Sequence, residues 1–82
     1  MTLEERIATK TMTEVARIFK KDIREITRDT RFVEDLVAKS VNIVELQAVL
    51  EDAFGIEIPF MEARKKRTVG EAIDFIIYLR RR

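Results

Sequence analysis

The run from Val41 to Phe54 constrains the fold more than any other part of this 82-residue chain. Its large apolar side chains recur at helical spacing, so that they share one face: Ile43, Leu46, Leu50, Ala53 and Phe54. Gly55 predicts the end of this helix, because a residue without a Cβ adopts the left-handed conformation without steric penalty. The only serine, Ser40, stands where the helix begins. Serine is a favoured N-cap, and a helix N-terminus also suits a phosphate. We therefore predict a helix over Ser40–Phe54 with Ser40 as its cap.

Two further segments have helical periodicity. Leu3–Phe19 has an apolar stripe that slips near Thr9–Thr11, and Thr2 with Glu5 fits a capping box. Thr68–Leu79 begins with a second capping-box match between Thr68 and Glu71. Its predicted buried residues are Val69, Ala72, Ile73, Ile76 and Leu79, with Phe75, Ile77 and Tyr78 widening the stripe.

The connecting segments lack a strand partner. Residues 22–39 predict a long loop with a short helical turn near Asp22 to Glu25, and apolar residues are expected to pin it to the core: Ile23, Ile26, Phe32 and Leu36. Ile56–Pro59 predicts an extended link, with Pro59 as the first residue of a short helix ending near Arg64. Without a sheet, the apolar stripes must face each other. The predicted fold is all-α, a small four-helix bundle with three main helices and one short helix, in a single domain over residues 1–82.

The composition excludes several functions. The chain has neither Cys nor His, so a Ser-His-Asp arrangement, a thiol nucleophile and a thiolate metal site are ruled out. We therefore expect a non-catalytic protein without a metal. No apolar run approaches the roughly 20 residues of a membrane span, and the N-terminus lacks the features of a signal peptide. We expect a cytoplasmic monomer without a membrane partner.

Charge is unevenly distributed along the chain. Residues 33–62 carry seven acidic and one basic side chain, whereas residues 63–82 carry two acidic and seven basic ones. The acidic face of the central helix is either a solvated surface or a surface that attracts a basic partner. The basic clusters Arg64–Arg67 and Arg80–Arg82 lack interleaved aromatic residues, so we interpret them as dipole compensation and solvated ends and expect no nucleic-acid partner.

An ordered set of motifs resembles the acyl carrier protein family. F-x-E-D-L is followed by a serine four positions later, then by E-L-x-x-x-L-E-x-x-F, I-x-I-P and T-V-x-x-A-I. The residues that carry the resemblance are Phe32, Glu34, Asp35, Leu36, Ser40, Glu45, Leu46, Leu50, Glu51, Phe54, Ile56, Ile58, Pro59, Thr68, Val69, Ala72 and Ile73. No gap is needed from Phe32 to Pro59, and the match covers most of the chain.

The resemblance implies both a fold and a function. It implies a four-helix bundle in which Ser40 is esterified to phosphopantetheine by a phosphopantetheinyl transferase that uses coenzyme A. The thiol of this arm would carry acyl groups as thioesters, which explains how a chain without Cys could take part in thioester chemistry. The arm would present them to acyl-transferring and acyl-modifying enzymes of fatty acid, lipid or polyketide biosynthesis.

The resemblance also assigns two groups of residues. The surface that docks on basic patches of partner enzymes would include Lys39, Val41, Glu45, Glu51 and Asp52, with Glu57 and Glu62 as additions. The acyl chain would lie among Ile43, Leu46, Ile58, Ala63 and Val69.

The chain departs from the family around the serine. Lys39-Ser40-Val41 stands in place of Asp-Ser-Leu, Val37 stands where glycine is usual, and Asn42 stands where a second acidic residue is common. The region of the short helix is basic, at Arg64–Arg67. We infer a specialised carrier with a dedicated partner set. The alternatives are an unmodified carrier-like module that binds a partner through its second helix and, more weakly supported, a nucleic-acid-binding protein. The acyl group stays open among fatty acyl, polyketide, aminoacyl and unusual long or hydroxylated chains.

Overall fold

The computed structural model describes residues 1–82 and consists of four α-helices and one turn of 3-10 helix. The helices are α1 (Leu3–Phe19), α2 (Ser40–Phe54), α3 (Phe60–Ala63) and α4 (Val69–Arg81), and the 3-10 turn is Ile23–Glu25. Its β pairing is limited to an isolated bridge between Arg31 and Thr68. The predicted all-α fold, with three main helices and one short one, is confirmed.

The helix ends follow the capping chemistry of the sequence, with small differences. At the start of α1, the Glu5 N–H donates to Thr2 Oγ1 at 3.1 Å and the Thr2 N–H donates to Glu5 Oε1 at 2.9 Å, so the predicted box is complete. At α4, Thr68 Oγ1 accepts from the Glu71 N–H, but the Glu71 carboxylate accepts from the Arg67 N–H. Only half of the second box therefore forms. Helix α4 also continues to Arg81, past the predicted end, because arginines favour a helix C-terminus.

The smaller elements also differ slightly from expectation. Pro59 is the N-cap of α3 and not its first helical residue. Ile58 is buried as predicted, whereas Ile56 is only half-buried. Gly55 ends α2 with a φ of 62°, the left-handed conformation that was predicted for it.

Thirteen buried apolar residues form one core, to which every main helix and the long loop contribute. Ile26, Phe32 and Leu36 are buried and pin the loop as predicted. Ile23 does not, since it is 48% exposed in a 3-10 turn that lies outside the core. Tyr78 is 58% exposed, contrary to prediction. It lies two positions from the buried Ile76, about 200° around the helix, so it faces away from the core.

The middle of α1 buries polar residues in line with its apolar stripe, and the helix continues unbroken through the slip near Thr9–Thr11. Thr11 is fully buried, and Glu14 is buried with its carboxylate bonded to Lys10 Nζ at 3.2 Å and to Arg17 Nε at 2.7 Å. Burial raises the pKa of the Glu14 carboxyl, but the hydrogen bonds and charges of Arg17 and Lys10 outweigh burial and leave it below its ordinary value. The ion pairs thus allow a carboxylate to stand at the edge of the core.

Three backbone hydrogen bonds join the long loop to the start of α4; we call these bonds the loop clamp. The Gly70 N–H donates to Arg28 O at 2.8 Å, the Val69 N–H to Thr30 O at 2.9 Å, and the Phe32 N–H to Arg67 O at 3.0 Å. A Cβ at position 70 would lie 2.9 Å from Arg28 O, so the clamp requires glycine there. The clamp fixes where the loop turns back toward α2.

The loop ends in a strained residue just before Ser40. Val37 has a φ of 52°, a region that is unfavourable for a β-branched side chain. Its side chain is 70% exposed, so it gains little from burial that could offset the strain. The conformation is imposed by hydrogen bonds from the Val37 N–H to Val33 O and from the Ala38 N–H to Phe32 O.

Replacing Val37 with glycine should therefore stabilise the protein. Relief of roughly 1–2 kcal/mol of left-handed strain exceeds the roughly 0.5–1 kcal/mol of added chain entropy, so the free energy of unfolding should rise by about 0.5–1 kcal/mol. Urea titration would measure it from the midpoint. Val33→Gly is the matched control, because Val33 is 68% exposed and has no positive φ. It should lower the free energy of unfolding, and an equal fall for Val37→Gly would contradict the interpretation.

Candidate functional site

Ser40 is the first helical residue of α2 and not its cap. Lys39 occupies the N-cap position in extended conformation, with φ −114° and ψ 166°, and its N–H donates to Asn42 Oδ1 at 2.9 Å. The Ser40 side chain makes no hydrogen bond, and the residue is exposed. The prediction that Ser40 caps the helix is therefore wrong, because Lys39 occupies the N-cap position and Asn42 accepts the Lys39 N–H. The serine hydroxyl is left free.

The surroundings of Ser40 fit a phosphodiester. The N–H groups of Ser40 and Val41 donate to no backbone or side-chain acceptor, and they lie at the positive end of the helix dipole. A surface cavity of about 150 Å³ borders the serine, and its lining includes the cations of Lys39, Arg64 and Lys66. None of these three cations has an ion-pair partner in the chain. An anion esterified to Ser40 would therefore meet free donors and unpaired positive charge.

A second cavity, of about 30 Å³, lies deeper between the helices; we call it the interior cavity. Nine of its eleven lining residues are apolar: Phe32, Ile43, Leu46, Leu50, Ile58, Ala63, Ala72, Phe75 and Ile76, with Gln47 and Lys66 completing the wall. It shares Phe32, Ile43 and Lys66 with the surface cavity. These three shared residues therefore border a path from the serine into the core.

Four of the five residues predicted for the acyl pocket line the interior cavity: Ile43, Leu46, Ile58 and Ala63. Val69 does not, because it is fully buried elsewhere in the core, where its backbone takes part in the loop clamp. The prediction did not name the other seven residues of the wall, which include its two polar members, Gln47 and Lys66. A signal for Gln47 was present, since it lies four positions after Ile43 and three before Leu50, on the inner face of α2.

The residues predicted to bind partners divide into two groups. Lys39, Val41, Glu45 and Asp52 are exposed, with Glu45 also 3.4 Å from Arg17 of α1. Glu51 is half-buried, and its carboxylate accepts a hydrogen bond of 2.7 Å from the Ile58 N–H. Glu51 therefore holds the link between α2 and α3 against the helix. Among the residues named as additions, Glu57 and Glu62 are exposed.

Arg31 and Asp35 shape the turn that precedes the serine. The Asp35 carboxylate accepts hydrogen bonds from the Arg31 guanidinium at 3.0 Å and from the Arg31 N–H at 2.8 Å. These bonds, the guanidinium first, hold the pKa of the Asp35 carboxyl below its ordinary value. The Glu-Asp pair of the motif thus contributes one residue, Asp35, to local structure.

No helix has both the length and the apolar composition that crossing a membrane requires. The acidic side chains also form no group of three that could hold a metal ion.

A free serine hydroxyl at a helix start, beside unpaired cations and an apolar cavity, is the arrangement expected of a carrier domain with a covalently attached arm. A family model described as the phosphopantetheine attachment site matches residues 10–76. The chain belongs to the acyl carrier protein family. The acyl carrier protein of Lactobacillus johnsonii is 45% identical over 73 residues, which are 89% of this chain and 91% of the relative. That of Rickettsia canadensis is 42% identical over 76 residues, 93% and 88% of the two chains.

A solved structure extends the similarity to the fold. The acyl carrier protein from Enterococcus faecalis superimposes with a TM-score of 0.79 at 33% identity, covering 96% of this chain and 99% of that one. The resemblance drawn from the motifs is confirmed. The protein is a carrier of acyl groups on phosphopantetheine, and the carrier interpretation is favoured over an unmodified interaction module.

Because Ser40 does not cap α2, Ser40→Ala should leave stability nearly unchanged, within about 0.5 kcal/mol, as for other exposed substitutions. Asn42→Ala removes the acceptor of the Lys39 N–H and should lower the free energy of unfolding by roughly 0.5–1.5 kcal/mol. Urea titration of both variants would compare them directly. A loss for Ser40→Ala as large as that for Asn42→Ala would contradict the assignment of the cap.

Proposed function

We propose that Ser40 is the residue to which a phosphopantetheinyl transferase attaches the arm from coenzyme A. The observation that carries the proposal is the hydroxyl itself, which is exposed, unbonded and the only serine hydroxyl in the chain. The free N–H groups of Ser40 and Val41 and the cations of Lys39, Arg64 and Lys66 would stabilise the charge of the phosphodiester.

The phosphopantetheine arm would supply the thiol, and the protein would supply the pocket for the acyl group. We propose that Ile43, Leu46, Ile58 and Ala63 surround the acyl chain, because they line the interior cavity. The chain itself is non-catalytic in this proposal, since it has neither Cys nor His, and the bond-making steps belong to its partner enzymes in the cytoplasm. Its contribution is to orient the arm and to shield the acyl group from water.

We propose that the exposed face of α2 is where these enzymes dock. Val41, Glu45 and Asp52 are exposed at spacings of four and seven, which places them on one side of the helix. Val41 is 69% exposed, so the face combines an apolar contact with negative charge. Glu51 is left out of this surface because its carboxylate is bonded within the chain. A basic patch on the partner complements this face.

Lys39 sets this carrier apart from one with an acidic residue beside the serine. Together with Arg64 and Lys66, it makes the border of Ser40 positive, next to the negative face of α2. We propose that partners of this carrier present a matching pattern, with an acidic group near the serine. Such a requirement would exclude enzymes whose surface around the serine is uniformly basic.

Modification of Ser40 is tested by intact mass after incubation with coenzyme A, magnesium and a promiscuous phosphopantetheinyl transferase. The native chain should gain the mass of one phosphopantetheine, and Ser40→Ala should gain none. Failure with several transferases, for both the native chain and Lys39→Asp, would contradict the proposal and favour the unmodified interaction module.

The dedicated-partner proposal predicts poor loading by a generic malonyl transferase of fatty acid synthesis. Lys39→Asp in the phosphopantetheine-bearing protein should raise the rate of malonyl loading by about tenfold, because it removes a repulsion beside the serine. Lys21→Asp is the control: it changes the net charge equally, but Lys21 does not line the cavity at Ser40. Efficient malonyl loading of the native protein would contradict the dedicated-partner proposal.

A further inference from the structure

Gln47 gives the interior cavity a polar group that a purely apolar acyl chain would leave unused. Its Nε2 donates to Ile58 O at 2.9 Å, while its Oε1 is buried and has no hydrogen-bond partner. The residue lines the cavity among nine apolar side chains. A buried acceptor without a donor is unfavourable, so the arrangement is incomplete without a donor from elsewhere.

The orientation of this amide is fixed by its surroundings. Turning it over would place the oxygen against Ile58 O and lose the existing hydrogen bond. The unpartnered atom is therefore an acceptor, and its partner must carry an O–H or N–H group.

A buried water satisfies this acceptor poorly. The cavity of about 30 Å³ has room for one water, but buried waters typically make three hydrogen bonds. Besides Gln47, the only charged or polar residue of the wall is Lys66, whose Nζ lies 4.5 Å from the centre of the Phe75 ring. A donor group on an acyl chain in the cavity would form the missing hydrogen bond to Gln47 Oε1 without requiring further polar partners.

We propose that Gln47 is a specificity-determining residue that favours acyl chains bearing a hydroxyl group. The inference rests on the proposed role of Ser40 and of the interior cavity. Lys66 favours a hydroxyl over an amine as the donor, because its ammonium, which lies over the Phe75 ring of the cavity wall, would repel the protonated amine of an aminoacyl group. A hydroxyl is neutral and donates to Gln47 Oε1, whereas a ketone offers acceptors alone.

The test uses the full chain loaded by a promiscuous phosphopantetheinyl transferase from four acyl-coenzyme A donors: hexanoyl, 3-hydroxyhexanoyl, 5-hydroxyhexanoyl and 3-oxohexanoyl. Intact mass establishes loading, and the melting temperature of each species is then compared. At least one hydroxylated species should melt about 4 °C above the hexanoyl species, the shift that one added hydrogen bond gives in a domain of this size. The 3-oxo species should show no such gain.

Two variants separate the amide from general packing. Gln47→Met keeps an unbranched side chain of similar size and removes the acceptor, so the hydroxylated and hexanoyl species should melt together. Ala48→Met changes the exposed neighbour and should keep the difference. Because the four-donor comparison in the native chain needs no substitution, equal melting temperatures there would overturn the proposal even if Gln47→Met does not fold.

The outcomes distinguish the inference from the function on which it rests. Loading with equal melting temperatures for all four species, an equal gain for the 3-oxo species, or a hydroxyl preference that persists in Gln47→Met would overturn the role of Gln47 alone. Absence of any mass gain from all four donors would overturn the proposed attachment at Ser40, and the inference with it.

Discussion

The loop clamp is the interaction on which the geometry of the site depends. Three backbone hydrogen bonds tie residues 28–32 to residues 67–70, and they bury Phe32 and Val69 in the same core. Without such bonds, the conformational entropy lost on ordering a loop of this length would be poorly compensated. Because the clamp fixes Phe32, the turn that follows has a defined start, and α2 begins only a few residues later. The position of Ser40 relative to α4 is thus set by backbone pairing between segments that are far apart in sequence.

The Ser40 hydroxyl is free because neighbouring residues form the helix cap and the tight turn. Lys39 adopts the N-cap conformation, Asn42 accepts its N–H, and Val37 takes up the strain of the tight turn. If Ser40 had capped the helix, its oxygen would have been oriented toward the backbone N–H groups and away from an incoming modifying enzyme. Moving the cap to neighbouring residues removes this conflict between stability and chemistry.

Local periodicity was enough to predict the helices, and ordered motifs were enough to identify the family. The bounds of α1 and α2 agree with the prediction, because capping residues and Gly55 act over a few positions. What could not be predicted depends on contacts distant in sequence. The clamp at Gly70, the burial of Glu14 by two cations and the turning of Glu51 toward Ile58 all require knowledge of which segments meet. The prediction that Ser40 is the cap was wrong for a local reason. Lys39 and Ser40 are adjacent, and it is Lys39 that has the extended backbone conformation of an N-cap.

The small volume of the interior cavity bears on how the proposed acyl chain would enter it. About 30 Å³ cannot contain several methylene groups, so the cavity would have to enlarge if the acyl chain enters it as proposed. Helices α1, α2 and α4 each contribute buried residues, whereas α3 has none and consists of four residues. Displacing α3 therefore exposes the least apolar area and breaks the fewest backbone bonds. The bond from Gln47 to Ile58 and the bond from Ile58 to Glu51 secure the link just before α3, so the amide and carboxylate hold the base of the movable wall. In the proposed loading, the residue that favours a hydroxyl would thus also anchor the segment next to which the cavity opens.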